Sequence, residues 1–501
     1  MEHDLVVTYI DSSELRVECE RGLAKELQDY FTFKVPGHKY MPAFRKRKWD
    51  GSIRLYNIYT QTIYAGLLDH IIRFAKDRKY TISVPVKNKI AITDNHIIDY
   101  LSKKIKPFAG GQPITAHYHQ VDAVRHGIAN SRCLLLSPTG SGKSLIIYSM
   151  LRYYSEQINP EKKILIIVPT TSLVAQMYND FKEYSTQNGW DAEKMCHCIT
   201  GGVDKNTNKK VVISTWQSIY KLPQEYFDQF ECVFGDECHL FKADSLKGIM
   251  TKLKKCPYRI GLTGTLDGSL THKLVIEGLF GPVYKVTTTK DLIDKDLLSQ
   301  LKINNILLQH NETSRKAMVR AKYQDEIDWI VQNPKRNEFI SNLSLNITGN
   351  TLILFQFVEK HGEVLYNLIK EKTKDSGRPV FFVHGGTELQ AREEIRKITE
   401  QESEAIIVAS YGTFSTGISI RRLHNIIFAS PSKSRIRVLQ SIGRQLRKSK
   451  HKEVAKLYDI GDDISWLSYK NHTLRHFEER LKIYHSPDLL LQSSTQIPFQ
   501  T

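Results

Sequence analysis

Short apolar runs alternate with amphipathic stretches along the chain from about Cys133 onward. The first series consists of CLLL (133–136), KILIIV (163–168), KVVIS (210–214) and ECVFG (231–235). A second series consists of TLILFQF (351–357), PVFFV (379–383), EAIIVAS (404–410), NIIFAS (425–430) and AKLYDI (455–460). Continuous apolar strands that alternate with helices are typical of a parallel sheet covered on both faces. The two series therefore predict two α/β domains.

The other segments have different patterns. Residues 1–106 mix strand-like DLVVTYI, SIRLYNI and TISVPV with helix-like LAKELQDYF, which predicts a small α+β domain. The Lys, Gly and Pro residues of LSKKIKPFAGGQP (101–113) are typical of a linker. We expect α/β domains at 107–295 and 349–470, a helical connection in the polar stretch 296–348, and a helical tail at 471–501.

Composition and charge narrow the function classes. The 501 residues include 71 Lys and Arg against 54 Asp and Glu, a net charge of +17, and such an excess favours a polyanionic partner. Seven scattered cysteines, among them Cys196-His197-Cys198 without a second pair at zinc-ligand spacing, suit a reducing compartment. No apolar stretch approaches the ~20 residues that span a bilayer. We therefore expect a soluble cytoplasmic protein.

The sequence SPTGSGKS (137–144) predicts a phosphate-binding loop, because it follows an apolar strand and precedes a helix. Gly140 and Gly142 allow the backbone to wrap around phosphate oxygens, and the helix N-terminus supplies positive partial charge. We expect Lys143 to contact the β- and γ-phosphates of ATP and Ser144 to bind Mg²⁺. Ser137 stands where such loops usually have their first glycine.

Two adjacent carboxylates follow the apolar run that ends at Gly235, in FGDECHLF (234–241). Asp236 is expected to hold Mg²⁺ through a water molecule, and Glu237 to orient and deprotonate the attacking water. A pair of acids is common on protein surfaces, but its position about ninety residues after a phosphate loop, at a predicted strand end, favours the catalytic interpretation.

Two arginines in LQSIGRQLRK (439–448) lie three residues apart on one predicted helix face, Arg444 and Arg447. They could be ordinary solvated charges. They could also reach the γ-phosphate from a neighbouring domain, which would explain why the chain has two α/β domains.

Together, these motifs occur in the order and approximate spacing of superfamily 2 helicases and translocases, which the chain resembles over roughly residues 110–465. The motifs are AHYHQVDAV (116–124), SPTGSGKS, VPTTSLVAQ (168–176), STWQS (214–218), DECH (236–239), LTGT (262–265), SYGTFSTGIS (410–419) and QSIGRQLR (440–447). The resemblance implies an α/β fold of two tandem RecA-like parallel-sheet motor domains with ATP in the cleft, preceded by the small α+β N-terminal domain.

The resemblance also implies roles for individual residues. The implied catalytic residues are Lys143, Asp236, Glu237, Arg444 and Arg447. The implied ATP-binding residues are Gln120, Ser137, Pro138, Thr139, Gly140, Ser141, Gly142, Lys143, Ser144 and Gly417. The residues implied to couple hydrolysis to movement along a nucleic acid are His239, Thr263, Thr265 and Gln440. Contacts to the nucleic-acid backbone fall to Thr170, Thr171, Gln176, Thr215 and Thr413, and such contacts allow stepping on any sequence.

Three departures separate the chain from DEAD-box RNA helicases. The acid motif is DECH and the third motif is LTGT, where those proteins have DEAD and Ser-Ala-Thr. His119 stands where the adenine segment commonly has tyrosine. These departures favour the DNA-acting relatives.

The segment FRKRKWDG (44–51) places four consecutive cations, Arg45, Lys46, Arg47 and Lys48, before an Asp50-Gly51 turn. Such a run could be a solvated face or a nucleic-acid grip. Trp49 is better interpreted as a core residue than as a base-stacking one. The longer segment YMPAFRKRKWDGSIRLYN (40–57) is similar to the segment that precedes the motor in phage UvsW-type helicases, through Phe44, Trp49-Asp50-Gly51 and Ile53-Arg54-Leu55.

That resemblance implies an ATP-dependent DNA helicase that remodels branched DNA in phage recombination, repair and replication. The implied reactions are fork regression, Holliday-junction branch migration and R-loop unwinding. The implied partners are branched or forked DNA, RNA within R-loops and a single-strand-binding protein, and we expect a monomer without membrane contact. Two alternatives are an RNA-remodelling helicase and the motor subunit of a restriction-type translocase, although the sequence contains no convincing nuclease motif.

Overall fold

The computed structural model of the protein describes residues 3–86, 90–241, 243–266, 270–417, 420, 422–432, 434, 438, 441–443, 445–446, 454–485 and 495–500. The chain forms two compact units, one of Met1–Ser137 and Ser141–Val286 and one of Pro138–Gly140 and Thr287–Thr501. None of the helices in the described ranges combines the length and apolar composition that crossing a bilayer requires.

The N-terminal domain contains six short strands and three helices. The strands are β1 (Leu5–Tyr9), β2 (Glu14–Cys19), β3 (Thr32–Lys34), β4 (Ser52–Arg54), β5 (Thr62–Tyr64) and β6 (Ile82–Ser83). The helices are α1 (Arg21–Tyr30), α2 (Pro42–Arg45) and α3 (Leu68–Arg78). One sheet has the order β5-β2-β1-β6, and β3 pairs with β4 in a separate antiparallel hairpin. The predicted α+β character of this domain is confirmed.

The N-terminal domain packs against the first α/β domain within the same compact unit. Leu67 and Leu68 share a hydrophobic cluster with Leu279 and Phe280 of the first α/β domain. The backbones approach so closely that a Cβ atom on Gly66 would lie 2.0 Å from the carbonyl oxygen of Glu277. Burial of these apolar side chains against each other holds the two domains together.

Arg259 is a fully buried cation at the same contact. Its guanidinium donates to the Ser13 hydroxyl at 2.8 Å and to the carbonyl oxygens of Leu253, Cys256, Met250 and Leu279 at 2.6–3.4 Å. Burial lowers its pKa, and the surrounding oxygens replace the lost water. Arg259 therefore joins the β1–β2 turn of the N-terminal domain to the first α/β domain.

A short ordered region precedes the first parallel sheet. It contains α4 (Asp94–Asp99), a π-helix at Tyr100–Ile105, and a hairpin of β7 (Phe108–Ala109) and β8 (Gln112–Pro113). The predicted linker at 101–113 is therefore regular structure, with Gly110 and Gly111 in left-handed conformation at the hairpin turn.

The first α/β domain is a seven-stranded sheet with the expected parallel pairing. Its strands are β9 (Arg132–Leu136), β10 (Lys163–Val168), β11 (Cys196–Ile199), β12 (Val211–Thr215), β13 (Phe230–Gly235), β14 (Tyr258–Thr263) and β15 (Val283–Lys285). The spatial order is β11-β12-β10-β13-β14-β9-β15. The helices are α5 (Tyr118–Asn130), α6 (Lys143–Gln157), α7 (Thr171–Tyr184), α8 (Ala192–Met195), α9 (Trp216–Ile219), α10 (Gln224–Phe227), α11 (Asp244–Lys252) and α12 (Leu270–Phe280). Cys196-His197-Cys198 lies in β11, and all seven cysteines are free.

The second unit contains another seven-stranded parallel sheet. Its strands are β16 (Gln300–Gln309), β17 (Thr351–Phe355), β18 (Val380–Val383), β19 (Ile406–Ser410), β20 (Asn425–Phe428), β21 (Val454–Asp463) and β22 (Thr495–Gln500). Their order is β18-β19-β17-β20-β21-β16-β22. The helices are α13 (Thr289–Asp294), α14 (Glu312–Ala317), α15 (Tyr323–Gln332), α16 (Pro334–Asn346), α17 (Glu363–Lys372), α18 (Leu389–Gln401), α19 (Tyr411–Gly417) and α20 (His472–Tyr484). The predicted tandem parallel-sheet fold is confirmed.

Two local expectations are wrong. The stretch 296–348, expected to be a helical connection, begins with the ten-residue strand β16, and its helices follow only from Glu312. The tail 471–501, expected to be helical, contains α20 and then strand β22, which pairs in parallel with β16. The sequence did not predict β16 as a strand because it contains polar residues such as Asn304 and Asn305. In the structure this strand lies between β21 and β22, and both asparagines are buried.

Candidate active site for nucleotide hydrolysis

The predicted phosphate loop is the turn between β9 and α6. Gly140 and Gly142 have φ angles of +88° and +85°, a conformation that side chains with a Cβ rarely adopt. The hydroxyls of Ser137 and Ser141 lie 2.6 Å apart and join the two ends of the turn. Lys143 is the first residue of α6, and its Nζ donates to the Ser137 carbonyl oxygen at 3.4 Å. The amino group therefore lies over the loop, where it can exchange this carbonyl for phosphate oxygens.

Every residue predicted for the loop, from Ser137 through Ser144, lies in this one turn or the first turn of α6. The helix is fifteen residues long, so its N-terminus presents aligned backbone amides and positive partial charge. Ser141 and Ser137 are buried, whereas Lys143 and Ser144 are partly exposed. The partly exposed side chains are the two that the sequence assigns to phosphate and metal.

Gln120 and its neighbour His119 attach helix α5 to this loop. The Gln120 side-chain oxygen accepts from the His117 backbone at 2.9 Å, and its Nε2 donates to the Ser141 carbonyl at 3.0 Å. His119 Nε2 lies 3.0 Å from the same carbonyl. A Cβ on Gly142 would lie 2.2 Å from Gln120 Nε2, so this close approach also requires glycine. Adenine recognition by Gln120 stays a prediction, and His119 is a loop-positioning residue that the sequence pattern did not identify.

The two predicted acids follow β13 at the carboxyl edge of the sheet. The Asp236 amide donates to the Ile167 carbonyl at 2.9 Å, and the Glu237 amide donates to Asp236 Oδ1 at 3.0 Å. Glu237 has a φ of +51°, an uncommon conformation for a residue with a side chain, and such strain concentrates at functional sites. Both carboxyl groups therefore extend from the turn that follows the end of β13.

Asp236 is buried, with 8% of its surface exposed. Burial raises the pKa of its carboxyl to about 6, the negative charge of Glu237 adds to the rise, and the positive charge of Lys143 opposes it. A buried carboxylate without enough positive charge around it fits a divalent cation, and Asp236 and Ser144 supply the oxygen ligands that Mg²⁺ prefers. The residue types present therefore fit the predicted metal, and Mg²⁺ binding itself stays a prediction.

Three predicted coupling residues, His239, Thr263 and Thr265, form a series of polar contacts that begins at Glu237. Glu237 Oε2 lies 3.3 Å from His239 Nδ1, which lies 3.1 Å from the Thr263 hydroxyl. That hydroxyl donates to the Thr265 carbonyl at 2.9 Å. All these contacts are buried or nearly so, and they connect the end of β13 to the end of β14. A change at the acids can therefore reach the segment that follows β14.

The predicted strand contacts of the first domain lie at the same carboxyl edge. Thr170 caps the N-terminus of α7, and its hydroxyl lies 3.0 Å from that of Ser172. Thr171 is exposed and Gln176 is partly exposed. Thr215 ends β12 beside β10, is 4% exposed, and shares a 2.9 Å hydroxyl contact with Ser218. The roles of these residues stay predictions.

In the second unit, Thr413 is buried in α19, and its hydroxyl lies 2.8 Å from that of Ser410. Gly417 ends the same helix. Gln440, Arg444 and Arg447 lie outside the described residues, so their predicted roles stay predictions.

The four cations of FRKRKWDG lie in the connection between β3 and β4. All four are exposed, and within the described part of the chain none has a carboxylate partner within 4.0 Å. Trp49 is half-buried and donates its indole N–H to the Ser52 carbonyl at 2.8 Å, so it supports the connection. Asp50 accepts from the Ser52 amide at 2.9 Å and pairs with Arg54 at 2.5 Å, which lowers its pKa to about 2. A turn does precede β4, but the hairpin loop is seventeen residues long, spanning 35–51.

Comparisons with known proteins follow the same division of the chain. Residues 4–85 match the family described as "DNA helicase UvsW, N-terminal". Residues 113–268 match "Type III restriction enzyme, res subunit", and residues 334–449 match "Helicase conserved C-terminal domain".

Individual relatives match over nearly the whole chain. The ATP-dependent DNA helicase uvsW of Enterobacteria phage T4 is 35% identical over 500 residues, covering 96% of this chain and 97% of that protein. The DNA 3'-5' translocase XPB2 of Sulfurisphaera tokodaii is 23% identical over 84% of this chain and 93% of its own. The crystal structure of T4 UvsW superposes with a TM-score of 0.52 at 32% identity, covering 99% of both chains. The chain therefore belongs to the UvsW-type family of superfamily 2 helicases.

Proposed function

We propose that the chain is an ATP-dependent DNA helicase that remodels branched DNA. The observation that carries the proposal is the series of contacts from Asp236 and Glu237 through His239 to Thr263, whose carbonyl accepts from the Ser137 amide of the phosphate loop at 2.9 Å, because it joins a hydrolytic site to a segment that can respond to it. Full-length similarity to a DNA helicase supports DNA as the track.

Each residue of the site has a definite task in hydrolysis. Lys143 and the amides of the loop bind the phosphates and neutralise charge that develops on the leaving group. Ser144 and, through water, Asp236 would hold Mg²⁺, which would supply positive charge that stabilises the phosphates when bound. Glu237 orients a water molecule in line with the γ-phosphate and accepts its proton on a carboxylate oxygen.

His239 and Thr263 would carry the consequence of hydrolysis to the nucleic-acid contacts. Glu237 gains a proton during the reaction, which changes its interaction with His239 at 3.3 Å. That change alters the hydrogen bond between His239 and Thr263. Arg444 and Arg447 would contact the γ-phosphate, the role that the resemblance implies for them.

We also infer the biological setting. The enzyme would act as a monomer in the cytoplasm of a bacterial host, on forks, Holliday junctions and R-loops formed during phage recombination and repair. RNA would be a partner within R-loops, and a single-strand-binding protein would help to load the enzyme.

The test is ATP hydrolysis by the intact chain with single-stranded DNA, hairpin-closed duplex, a fork, a four-way junction and RNA. Branched DNA should stimulate hydrolysis most, and a Glu237→Gln variant should remain inactive on all substrates. Stimulation by RNA and not by DNA would overturn the proposal in favour of an RNA-remodelling helicase.

A companion variant with alanine at Arg45, Lys46, Arg47 and Lys48 tests the nucleic-acid grip. Each phosphate contact contributes about 0.9 to the slope of log affinity against log salt concentration on duplex DNA. The variant should bind forks with a slope reduced by as much as about 3.6. An unchanged slope would make the four cations a solvated face.

A further inference from the structure

The connection between β3 and β4, residues 35–51, is called here the basic loop. Hydrogen bonds fix its base: the Val35 amide donates to the Gly51 carbonyl at 2.8 Å, and Lys34 Nζ donates to the Asp50 carbonyl at 2.6 Å. Trp49 adds its indole hydrogen bond to Ser52. These contacts join the two ends of the loop directly above the hairpin.

The interior of the basic loop is packed around His38. Its ring meets the Phe44 ring edge-on at 4.9 Å, and its Nδ1 lies 2.8 Å from the Val35 carbonyl. A Cβ on Gly51 would lie 2.5 Å from the His38 ring, so only glycine fits there. One turn of helix follows, in which the Arg45 amide donates to the Met41 carbonyl at 3.1 Å. The aromatic rings of His38 and Phe44 therefore pack against each other inside the loop.

Tyr40 is the aromatic residue that this packing leaves outside. Its side chain is 77% exposed, and the neighbouring Met41 is 39% exposed. Within the described part of the chain Tyr40 has no side-chain hydrogen bond and no ring partner. The basic loop therefore presents an aromatic face to solvent, although burying that face would be favourable.

Unpaired cations flank this aromatic face. Lys39 precedes Tyr40 directly, and Arg45 Nε donates to the Lys39 carbonyl at 3.4 Å, which holds the guanidinium beside that residue. Lys39 is exposed like the four cations of 45–48, and it too has no carboxylate partner in the described structure. The only acid of the loop, Asp50, is already paired with Arg54.

An aromatic face next to cations without carboxylate partners is complementary to a nucleic acid that offers phosphates and an uncovered base together. Continuous duplex offers phosphates, but its base faces are covered by stacking. A branch point uncovers the face of the base pair at which the strands separate. Stacking of a base on an aromatic side chain contributes ~1–3 kcal/mol of binding free energy. Lysine or arginine contacts to phosphate contribute further binding free energy that does not depend on the DNA sequence.

We propose that Tyr40 stacks on the base uncovered at a DNA branch point while the cations of the basic loop bind the flanking phosphates. The proposal rests on the proposed function, because it requires that the chain acts on branched DNA. It assigns the preference for a branch to Tyr40 and the general affinity for DNA to the cations.

The experiment compares Tyr40→Ala with Tyr59→Ala in the full chain. Tyr59 is a matched control because it is 94% exposed in the turn between β4 and β5, outside the basic loop. Dissociation constants are measured by fluorescence anisotropy for a fork and for a hairpin-closed duplex of equal length. Tyr40→Ala should weaken fork binding about 5- to 150-fold, the factor that corresponds to loss of one stacked base, and should leave the dissociation constant of the duplex unchanged.

A second readout reports stacking directly. A fork carrying 2-aminopurine at the branch position should lose fluorescence on binding the unaltered chain and the Tyr59→Ala variant, and keep it on binding Tyr40→Ala. Tyr40→Trp should restore both the affinity and the quenching, which a merely structural loss would not allow. Circular dichroism and melting temperature verify that each variant is folded.

Two results would overturn the stacking proposal: fork affinity equal in Tyr40→Ala and Tyr59→Ala, or an equal loss on the hairpin-closed duplex. Neither result would contradict the proposed function if DNA still stimulates ATP hydrolysis by the unaltered chain. If no DNA stimulates that hydrolysis, the proposed function itself fails.

Discussion

Replacement of Asp236 by asparagine should make the nucleotide-free protein more stable while it abolishes hydrolysis. Burial raises the pKa of this carboxyl from the ordinary value of 3.8 to about 6. The native state therefore binds the proton more tightly than the unfolded state, and the ionised carboxylate destabilises the fold. This destabilisation is absent well below pH 3.8, grows as the pH rises, and is complete above about pH 6.

The difference between the two pKa values corresponds to about 3 kcal/mol, because each tenfold change in proton affinity corresponds to about 1.4 kcal/mol. At pH 5 the destabilisation is about half as large, since the native-state carboxyl is then mostly protonated. For a unit of this size, ~1 kcal/mol shifts the melting temperature by ~2 °C. Asp236→Asn should therefore melt about 6 °C higher than the unaltered chain at pH 8 and about 3 °C higher at pH 5.

Thermal unfolding followed by circular dichroism at both pH values provides the assay. Asp244→Asn is the matched control, because the Asp244 side chain is 96% exposed in the same unit and its replacement should change stability by no more than ~0.5 kcal/mol. A melting temperature for Asp236→Asn at or below that of the unaltered chain at pH 8 would refute the reasoning. Adding Mg²⁺ with a non-hydrolysable ATP analogue should stabilise the unaltered chain more than the variant.

Three further predictions follow from single contacts. Lys143→Ala should reduce ATP hydrolysis at least ~100-fold by removing a charge that faces the phosphates, as initial rates would show, and substantial residual hydrolysis would contradict its assignment. Thr263→Val removes the hydroxyl between His239 and the next turn, so the ratio of DNA-stimulated to unstimulated hydrolysis should fall ~10-fold; an unchanged ratio would exclude a relay. Arg259→Met removes the five hydrogen bonds of this buried guanidinium and should destabilise the fold by at least ~3 kcal/mol, whereas Ser13→Ala removes only one of them and should cost no more than ~2 kcal/mol; equal losses in denaturant would contradict this explanation.

The local chemistry of the site could be predicted from the sequence because it depends on local backbone requirements. A loop that needs positive φ at Gly140 and Gly142 and then a helix that begins at Lys143 is encoded by neighbouring residues. The same holds for Asp236 at the end of an apolar strand. Continuous apolar runs likewise predicted most strands of both sheets, since central strands of a parallel sheet are buried on both faces.

Other features could not be predicted from the sequence because their burial depends on segments that lie far away along the chain. The strand β16 contains Asn304 and Asn305, and it is buried only because β21 and β22 pair with it from far along the chain. His119 became a loop-positioning residue only through its contact with the Ser141 carbonyl. No local pattern predicts which polar group a buried histidine will meet.

The sequence by itself determined the fold class through the alternation of apolar runs and helices, the family through the resemblance of its ordered motifs, and the residues of the hydrolytic turn through local spacing. The tertiary structure alone decided three things: the order of strands in each sheet, the packing of the N-terminal domain on the first motor domain through Arg259, and the exposure of Tyr40 beside its cations. The physical reason is that strand order, partners of buried polar groups and exposure are outcomes of long-range packing. A residue's environment is set by segments that the chain brings together only when it folds.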